Sequence, residues 1–177
     1  MQKVKRLLFI GLIGFILNGC SSVKVTTDAA PGTSFAHYQT YLLAPVAEKI
    51  GLSPSSELAL RETLKTQLAL RQIQETDKNA DVHVVRHIST KDKMNVTQFN
   101  GAGFRSIPYG YGYYRVWGGA PETYVSQYTE GTLILDFVDA KTQQLVFRGV
   151  ATGTVQDPET NAKRLAEAVE RIVQKLP

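Results

Sequence analysis

The sequence predicts an α+β domain: a mostly antiparallel β-sheet with two helices packed on one face, in the order β-β-α-β-β-β-α. Two stretches carry apolar residues at three- and four-residue spacing, Leu60, Leu64 and Leu68 in the first and Ala162, Leu165, Val169, Ile172 and Leu176 in the second. Five other stretches are β-branched or alternate apolar with polar residues, and turn residues bound them. A run of strands with helices set apart from them argues for helices gathered on one face of an antiparallel sheet.

The first strand covers residues 23–27 (VKVTT) and is broken by Pro31-Gly32; the second covers 38–44 (YQTYLLA) and is stopped by Pro45. Ser53-Pro54 starts a helix, with serine as cap and proline in the first turn. Leu58 and Ile73 flank its leucine stripe, and it should run to about residue 71. After a polar turn at residues 75–79, a third strand takes residues 81–88 (DVHVVRHI) and extends toward Val96. The strand–helix–strand step should be a right-handed crossover. Residues 124–138 and 145–155 form a hairpin turned by Asp139-Ala140-Lys141-Thr142, with Leu133, Leu135 and Phe137 on one face. Asp157-Pro158 repeats the cap-and-proline start for the last helix. No internal repeat is present.

The first twenty residues have a different character. Lys3, Lys5 and Arg6 precede an apolar stretch at residues 7–17. That is too short to span a bilayer, which takes about 20 residues, but it suits the core of a secretion signal. The stretch ends in Leu17-Asn18-Gly19-Cys20, which resembles the bacterial lipobox: an aliphatic residue, two small residues and an obligatory cysteine. A thiol there is the nucleophile that takes a diacylglyceryl group, and small neighbours give the peptidase access. Cys20 is the one cysteine of the chain, so the alternative, a signal anchor with an incidental cysteine, is the weaker reading. The expected organisation is a cleaved signal at 1–19, a lipidated tether at 20–22 and a single domain at 23–177.

This start corrects the apparent basicity. The whole chain has 20 Lys and Arg against 16 Asp and Glu. Three of the basic residues belong to the signal, so the mature 158 residues carry 17 against 16, a net charge of +1. A clustered basic face for nucleic acid is not indicated. With its thiol consumed, the domain has no disulfide and must hold by burial; a chain of this length buries roughly 70% of its unfolded surface.

Catalytic signatures are absent: no G-x-S-x-G elbow, P-loop or C-x-x-C occurs. His83 and His87 would meet on a helix, but in a strand four residues span about 13 Å; they read as polar strand-face residues, and no metal or cofactor is expected. Asp136, Asp139 and Glu130 are the carboxylates an envelope-polymer hydrolase would use. Asp139 opens the hairpin turn, where its side chain bonds backbone, so a structural role is favoured. Gly101-Ala102-Gly103 and Gly110-Tyr111-Gly112 lack the third glycine and preceding strand of a dinucleotide site.

One segment stands out. Residues 100–120 hold six of the 14 glycines and six of the 16 aromatic residues, with Arg105 and Arg115 as the sole charges. Glycine at this density cannot pack a core, yet six rings are costly to leave in water. Aromatics with arginine on a pliable backbone are the composition of contact surfaces. Tyr109, Tyr111, Tyr113, Tyr114, Arg115 and Trp117 are the candidate partner-binding residues of this expected loop; the alternative is a hairpin loop whose rings fold back on the sheet.

Three strings resemble the lipoproteins grouped as domain of unknown function family 4136. They are FAHYQTY from Phe35, NADVHV from Asn79, and EGTLILDFVDA from Glu130 with its continuation LVFRG from Leu145. The likeness spans nearly all of the mature chain, and Phe147 stands where the family commonly has tryptophan. The resemblance implies fold and location and no reaction. The reading is a non-enzymatic periplasmic domain, lipid-anchored to the outer membrane, that binds an envelope protein, peptidoglycan or lipid. A carboxylate hydrolase and a stress-related structural lipoprotein without specific ligand are the alternatives.

Overall fold

The computed structural model describes residues 23–45, 52–99, 104–109, 112–117 and 122–177. The strands are β1 (Lys24–Ala29), β2 (Thr40–Leu43), β3 (Gln74–Glu75), β4 (Val82–Phe99), β5 (Phe104–Tyr109), β6 (Gly112–Trp117), β7 (Glu122–Asp139) and β8 (Leu145–Thr154). The helices are α1 (Pro54–Leu70) and α2 (Pro158–Val173), with a 3₁₀ turn at Phe35–His37. Six strands form one sheet in the order β1-β8-β7-β4-β2-β3, and β5 pairs with β6 separately.

The α+β class with two helices on one face holds, but the sheet is mixed and not mostly antiparallel. β1–β8, β8–β7 and β7–β4 pair antiparallel, while β4–β2 and β2–β3 pair parallel. The crossover through α1 is the cause. A chain that leaves β2, climbs a helix and returns to the same sheet enters its next strand in the same direction. The two-residue β3, which follows α1 directly, adds a second parallel edge. The predicted order also lacked β3, β5 and β6. The segment at 100–120, expected as a loop, carries the last two as a hairpin.

Both helices begin as their caps dictate. The Ser53 side chain accepts from the Ser56 N–H, and Asp157 accepts from Glu159 and Thr160, each with a proline in the first turn. α1 ends where Gln72 turns left-handed (φ 64°) and returns Ile73 to the core. Leu60, Leu64 and Leu68 are fully buried, as the stripe requires. Leu58 is not part of it: at 61% exposure it lies on the solvent side.

These leucines meet Val169, Ile172 and Val173 of α2 over Val82 and Val84 of β4, Leu133, Leu135 and Phe137 of β7, and Phe147 and Ala151 of β8. Such burial stabilises by roughly 1.5–3 kcal/mol for each large side chain. The family-like opening string supplies an aromatic knot at one end. Phe35 packs edge-on against Tyr38, Phe137 and Phe147 at centroid distances of 5.2, 5.6 and 6.0 Å.

The helices run side by side in the same direction. Their first turns share one cleft, and at the other end the Arg71 guanidinium donates to the Leu176 carbonyl at 2.7 Å.

Candidate functional site

β4 and β7 are each 18 residues long, far longer than their neighbours. They pair continuously from Val82↔Asp139 to Phe99↔Glu122. β8 covers β7 from Glu130 onward, and β2 covers β4 at residues 82–84 alone. Residues 91–99 and 122–129 therefore leave the sheet as a two-stranded ribbon, roughly 30 Å long at about 3.3 Å per residue. Among the described residues most of the exposed large apolar side chains lie on this arm, namely Met94, Val96, Val125, Tyr124 and Tyr128, while Leu58, Leu70, Leu145 and Val155 are exposed elsewhere.

Register assigns them to two faces. Val96 is opposite Val125, with Met94 two residues along on the same face, while Tyr124 pairs with Thr97 and Tyr128 with Lys93 on the other. Lys93 also holds Glu130 at 3.1 Å, which raises the ammonium pKa through that hydrogen bond and charge. Thr129 donates to Asp92 at 2.7 Å. Cross-strand pairs of this kind stiffen a ribbon that has no core beneath it.

The chain between the two distal ends of the arm contains the β5–β6 hairpin. Its register places Tyr109 opposite Gly112, Tyr113 opposite Pro108, Tyr114 opposite Ile107, Arg115 opposite Ser106 and Trp117 opposite Phe104. The candidate residues other than Tyr111 are thus on one hairpin; Tyr111 lies outside the described residues, as do Cys20 and its tether. The sequence reading carried one strand of the shaft toward Val96 and began the other at Tyr124; what it missed is that the two pair with each other as an arm beyond the sheet.

The carboxylates are each engaged separately. Asp136, 6% exposed, accepts from Arg148 Nε at 2.6 Å and Nη2 at 2.7 Å, with His87 Nε2 3.7 Å away. The bidentate partner raises the Arg148 pKa. Asp139 caps the hairpin turn: it accepts from the Lys141 and Thr142 N–H groups at 2.9 and 2.7 Å and from the Tyr38 hydroxyl at 2.9 Å. Those bonds, the Thr142 amide first, lower its pKa to about 2. Burial, then the Asp139 bond, raises Tyr38 to about 12.

Glu130 sits six residues from Asp136, roughly 20 Å along a strand. Asp81 accepts from the Gln39 and Thr40 amides at 3.0 Å each, which lowers its pKa and joins β4 to the start of β2. These are structural clamps, and they do not converge on a cleft. His83 and His87 are both in β4, as the strand assignment requires. Among the described residues no three His, Cys, Asp or Glu side chains come together to hold a metal, and no helix is long and apolar enough to cross a membrane.

Several solved structures are similar at low identity. A PDZ domain protein from Parabacteroides distasonis is similar at a TM-score of 0.51 and 11% identity, over 88% of this chain and 36% of that one. A PelC dodecamer from Paraburkholderia phytofirmans is similar at 0.47 and 10% identity, over 87% and 96%. A minor lipoprotein from Acinetobacter baumannii is similar at 0.38 and 10% identity, over 78% and 88%. No curated protein matches. The family described as a domain of unknown function, DUF4136, matches residues 25–177, from the second residue of β1 to the last residue of the chain, and the protein belongs to it.

Proposed function

We propose that this chain is a non-catalytic envelope lipoprotein, anchored through an acylated Cys20 to the outer membrane, whose β4–β7 arm binds a protein partner. The observation that carries the reading is the arm itself. A ribbon with apolar side chains on both faces, outside any core, exposes surface that a domain normally buries. Its outer backbone groups are those that a strand from another protein adds to. The Tyr- and Arg-bearing β5–β6 hairpin extends this surface with residue types that dominate interface energy.

The anchor supports the same reading. Cys20 follows an apolar signal core and precedes Val23 by three residues, so two or more acyl chains would hold the domain close to a bilayer. Ser21 replaces the aspartate that retains such lipoproteins at the inner membrane, which favours the outer one. The carboxylates, each clamped by its own partner, favour no hydrolase.

The test uses the full chain in its host, with photoreactive side chains at Met94, Val96 and Tyr128 and, as a control, at Leu70 on the far side of α1. A discrete protein adduct from the arm positions that is missing from Leu70 supports the reading. Adducts that are equal at all four positions, or confined to lipid, overturn it. Cys20→Ser should leave an unprocessed, unacylated precursor by intact mass.

A further inference from the structure

At the end of the sheet from which the arm departs, the first turns of α1 and α2 stand apart and leave a cleft of about 390 Å³. This is within the range of about 300–1,000 Å³ usual for small-ligand pockets. Its apolar lining includes Val23, Leu52, Ile88, Leu133, Leu165 and Ala168. Several polar groups on its wall already bond within the protein. Ser53 Oγ donates to Ser56 Oγ at 2.9 Å, Asn161 exchanges hydrogen bonds with the Gln156 backbone at 2.8 Å, and the Arg164 guanidinium donates to the Thr154 carbonyl. With most of its lining apolar, the cleft offers a place for an apolar ligand.

Val23 ties this cleft to the amino terminus. It is 5% exposed, it lines the cleft, and its carbonyl accepts from the Arg171 guanidinium of α2. The chain is therefore fixed at Val23, and only Ser21 and Ser22 lie between it and Cys20, so the three steps reach roughly 10 Å at about 3.3–3.6 Å per residue. A fatty acyl chain on the Cys20 sulfur or amine is longer than that gap.

We infer that the cleft is a binding site for one acyl chain of this chain's own lipidated Cys20. The inference rests on the acylation reading above. Attachment makes the event intramolecular, with an effective concentration on the order of millimolar for so short a tether, so modest affinity suffices to fill the site. One chain withdrawn into the cleft leaves the others in the bilayer. It also holds the arm's base against the membrane surface, since cleft, amino terminus and arm share one end of the sheet: Lys24 is opposite Thr152, and Glu130 is opposite both Thr154 and Lys91.

The experiment labels the full chain in growing cells with a diazirine fatty acid and irradiates intact membranes. Intact mass first reports whether Cys20 carries the label. The expected result is an intramolecular adduct between the Cys20 peptide and peptides that contain Leu52, Ile88 or Leu165. Ala168→Phe, which fills the cleft, should lower that adduct at least tenfold with label incorporation unchanged; Leu165→Trp, one turn away on the same helix, repeats the test if Ala168→Phe does not fold. A labelled Cys20 whose adducts fall on bilayer lipid, or evenly over the domain, overturns the inference while leaving the anchor intact. Cleft adducts to phospholipid instead of the Cys20 peptide also overturn it, in favour of a membrane lipid as occupant. An unlabelled Cys20 overturns the anchor and the inference together.

Discussion

Ile172 of α2 occupies the space that a side chain on Gly149 of β8 would need. A Cβ built on Gly149 overlaps the Ile172 Cγ2 and comes within 2.9 Å of Cγ1 and 3.1 Å of Cβ. The glycine that closes the family-like string LVFRG is therefore a packing requirement, and it sets how closely α2 lies on the sheet. Gly149→Ala should cost about 1–3 kcal/mol through overpacking. Ile172→Ala alone should cost about 2–5 kcal/mol as a cavity. Combined, the two should cost less than their sum by on the order of 1 kcal/mol, because each relieves the other. Denaturant unfolding of the four proteins closes this cycle; strict additivity would show that the contact is not limiting.

Arg86 is a charge inside the core. Its side chain, 5% exposed, faces α1, and Nη1 lies 2.8 Å from Glu57 Oε1. Neither Nε nor Nη1 makes a hydrogen bond, so the guanidinium depends on ionic attraction. Glu57→Gln should destabilise, though by less than the ~3–5 kcal/mol of a fully buried pair, because the Glu57 side chain is 35% exposed. Adding Arg86→Met to that variant should restore most of the loss, since an apolar side chain of similar volume needs no counter-charge. Thermal melts of the single and double variants decide; a double variant weaker than Glu57→Gln alone would contradict this account.

Tyr38 and Asp139, which share a hydrogen bond, limit stability at opposite ends of the pH scale, Asp139 chiefly through the Thr142 amide and Tyr38 chiefly through burial. The Asp139 pKa is lowered from 3.8 to about 2 in the folded protein. Its contribution is thus present above about pH 4 and is lost as pH falls through about 2. Tyr38 is raised from 10.0 to about 12, so its contribution is present below about pH 10 and is lost as pH rises through about 12. Asp139→Asn should shrink the fall in unfolding free energy between pH 5 and pH 2. It should not abolish it, because Asp81 and Asp157 are lowered as well. Tyr38→Phe should remove part of the alkaline fall. Equilibrium unfolding across pH checks both, and an unchanged acid limb in Asp139→Asn would refute the first.

The periodic parts of this chain were legible. Leu60, Leu64 and Leu68, the alternate residues Leu133, Leu135 and Phe137 of β7, and Val169 with Ile172 all lie in the core, because a single face had to be apolar and the pattern records it. Three things were not legible, each for a physical reason. Arg86 continues the inward alternation of Val82 and Val84, but a charge at that position reads as solvent-facing unless its partner on α1 is known. β3 is two residues whose pairing depends on where α1 delivers the chain. The arm has no core, so its strands follow no inside–outside pattern beyond Ile88. Their length depends on pairing with each other, which a single sequence does not display. The lipobox-like string ending at Cys20, the clearest motif in the chain, lies outside the described residues.

The arm and the hairpin beyond it should be separable from the fold. Phe99 and Glu122 are paired at the arm's distal end, so an Asn-Gly turn can join them in place of residues 100–121. Among the described residues the buried cluster draws on residues 23–84 and 133–176, and the change removes none of these. The melting transition should therefore stay nearly where it is. Crosslinking to a partner should fall if Tyr109, Tyr111, Tyr113, Tyr114, Arg115 and Trp117 provide contact area, and it should fall further when Val96→Lys and Val125→Glu are added. Those two positions are exposed and opposite each other, so an opposite-charge pair keeps the ribbon's cross-strand attraction while removing its apolar face. Surface changes of that kind usually stay within about 0.5 kcal/mol of the parent. Were the rings of residues 104–117 instead part of the core, the turn variant would lose about 3 kcal/mol or more and keep its crosslinks. Melting and crosslinking of one set of proteins give opposite patterns for the two cases, and a destabilised turn variant with unchanged crosslinks would return the hairpin to the fold.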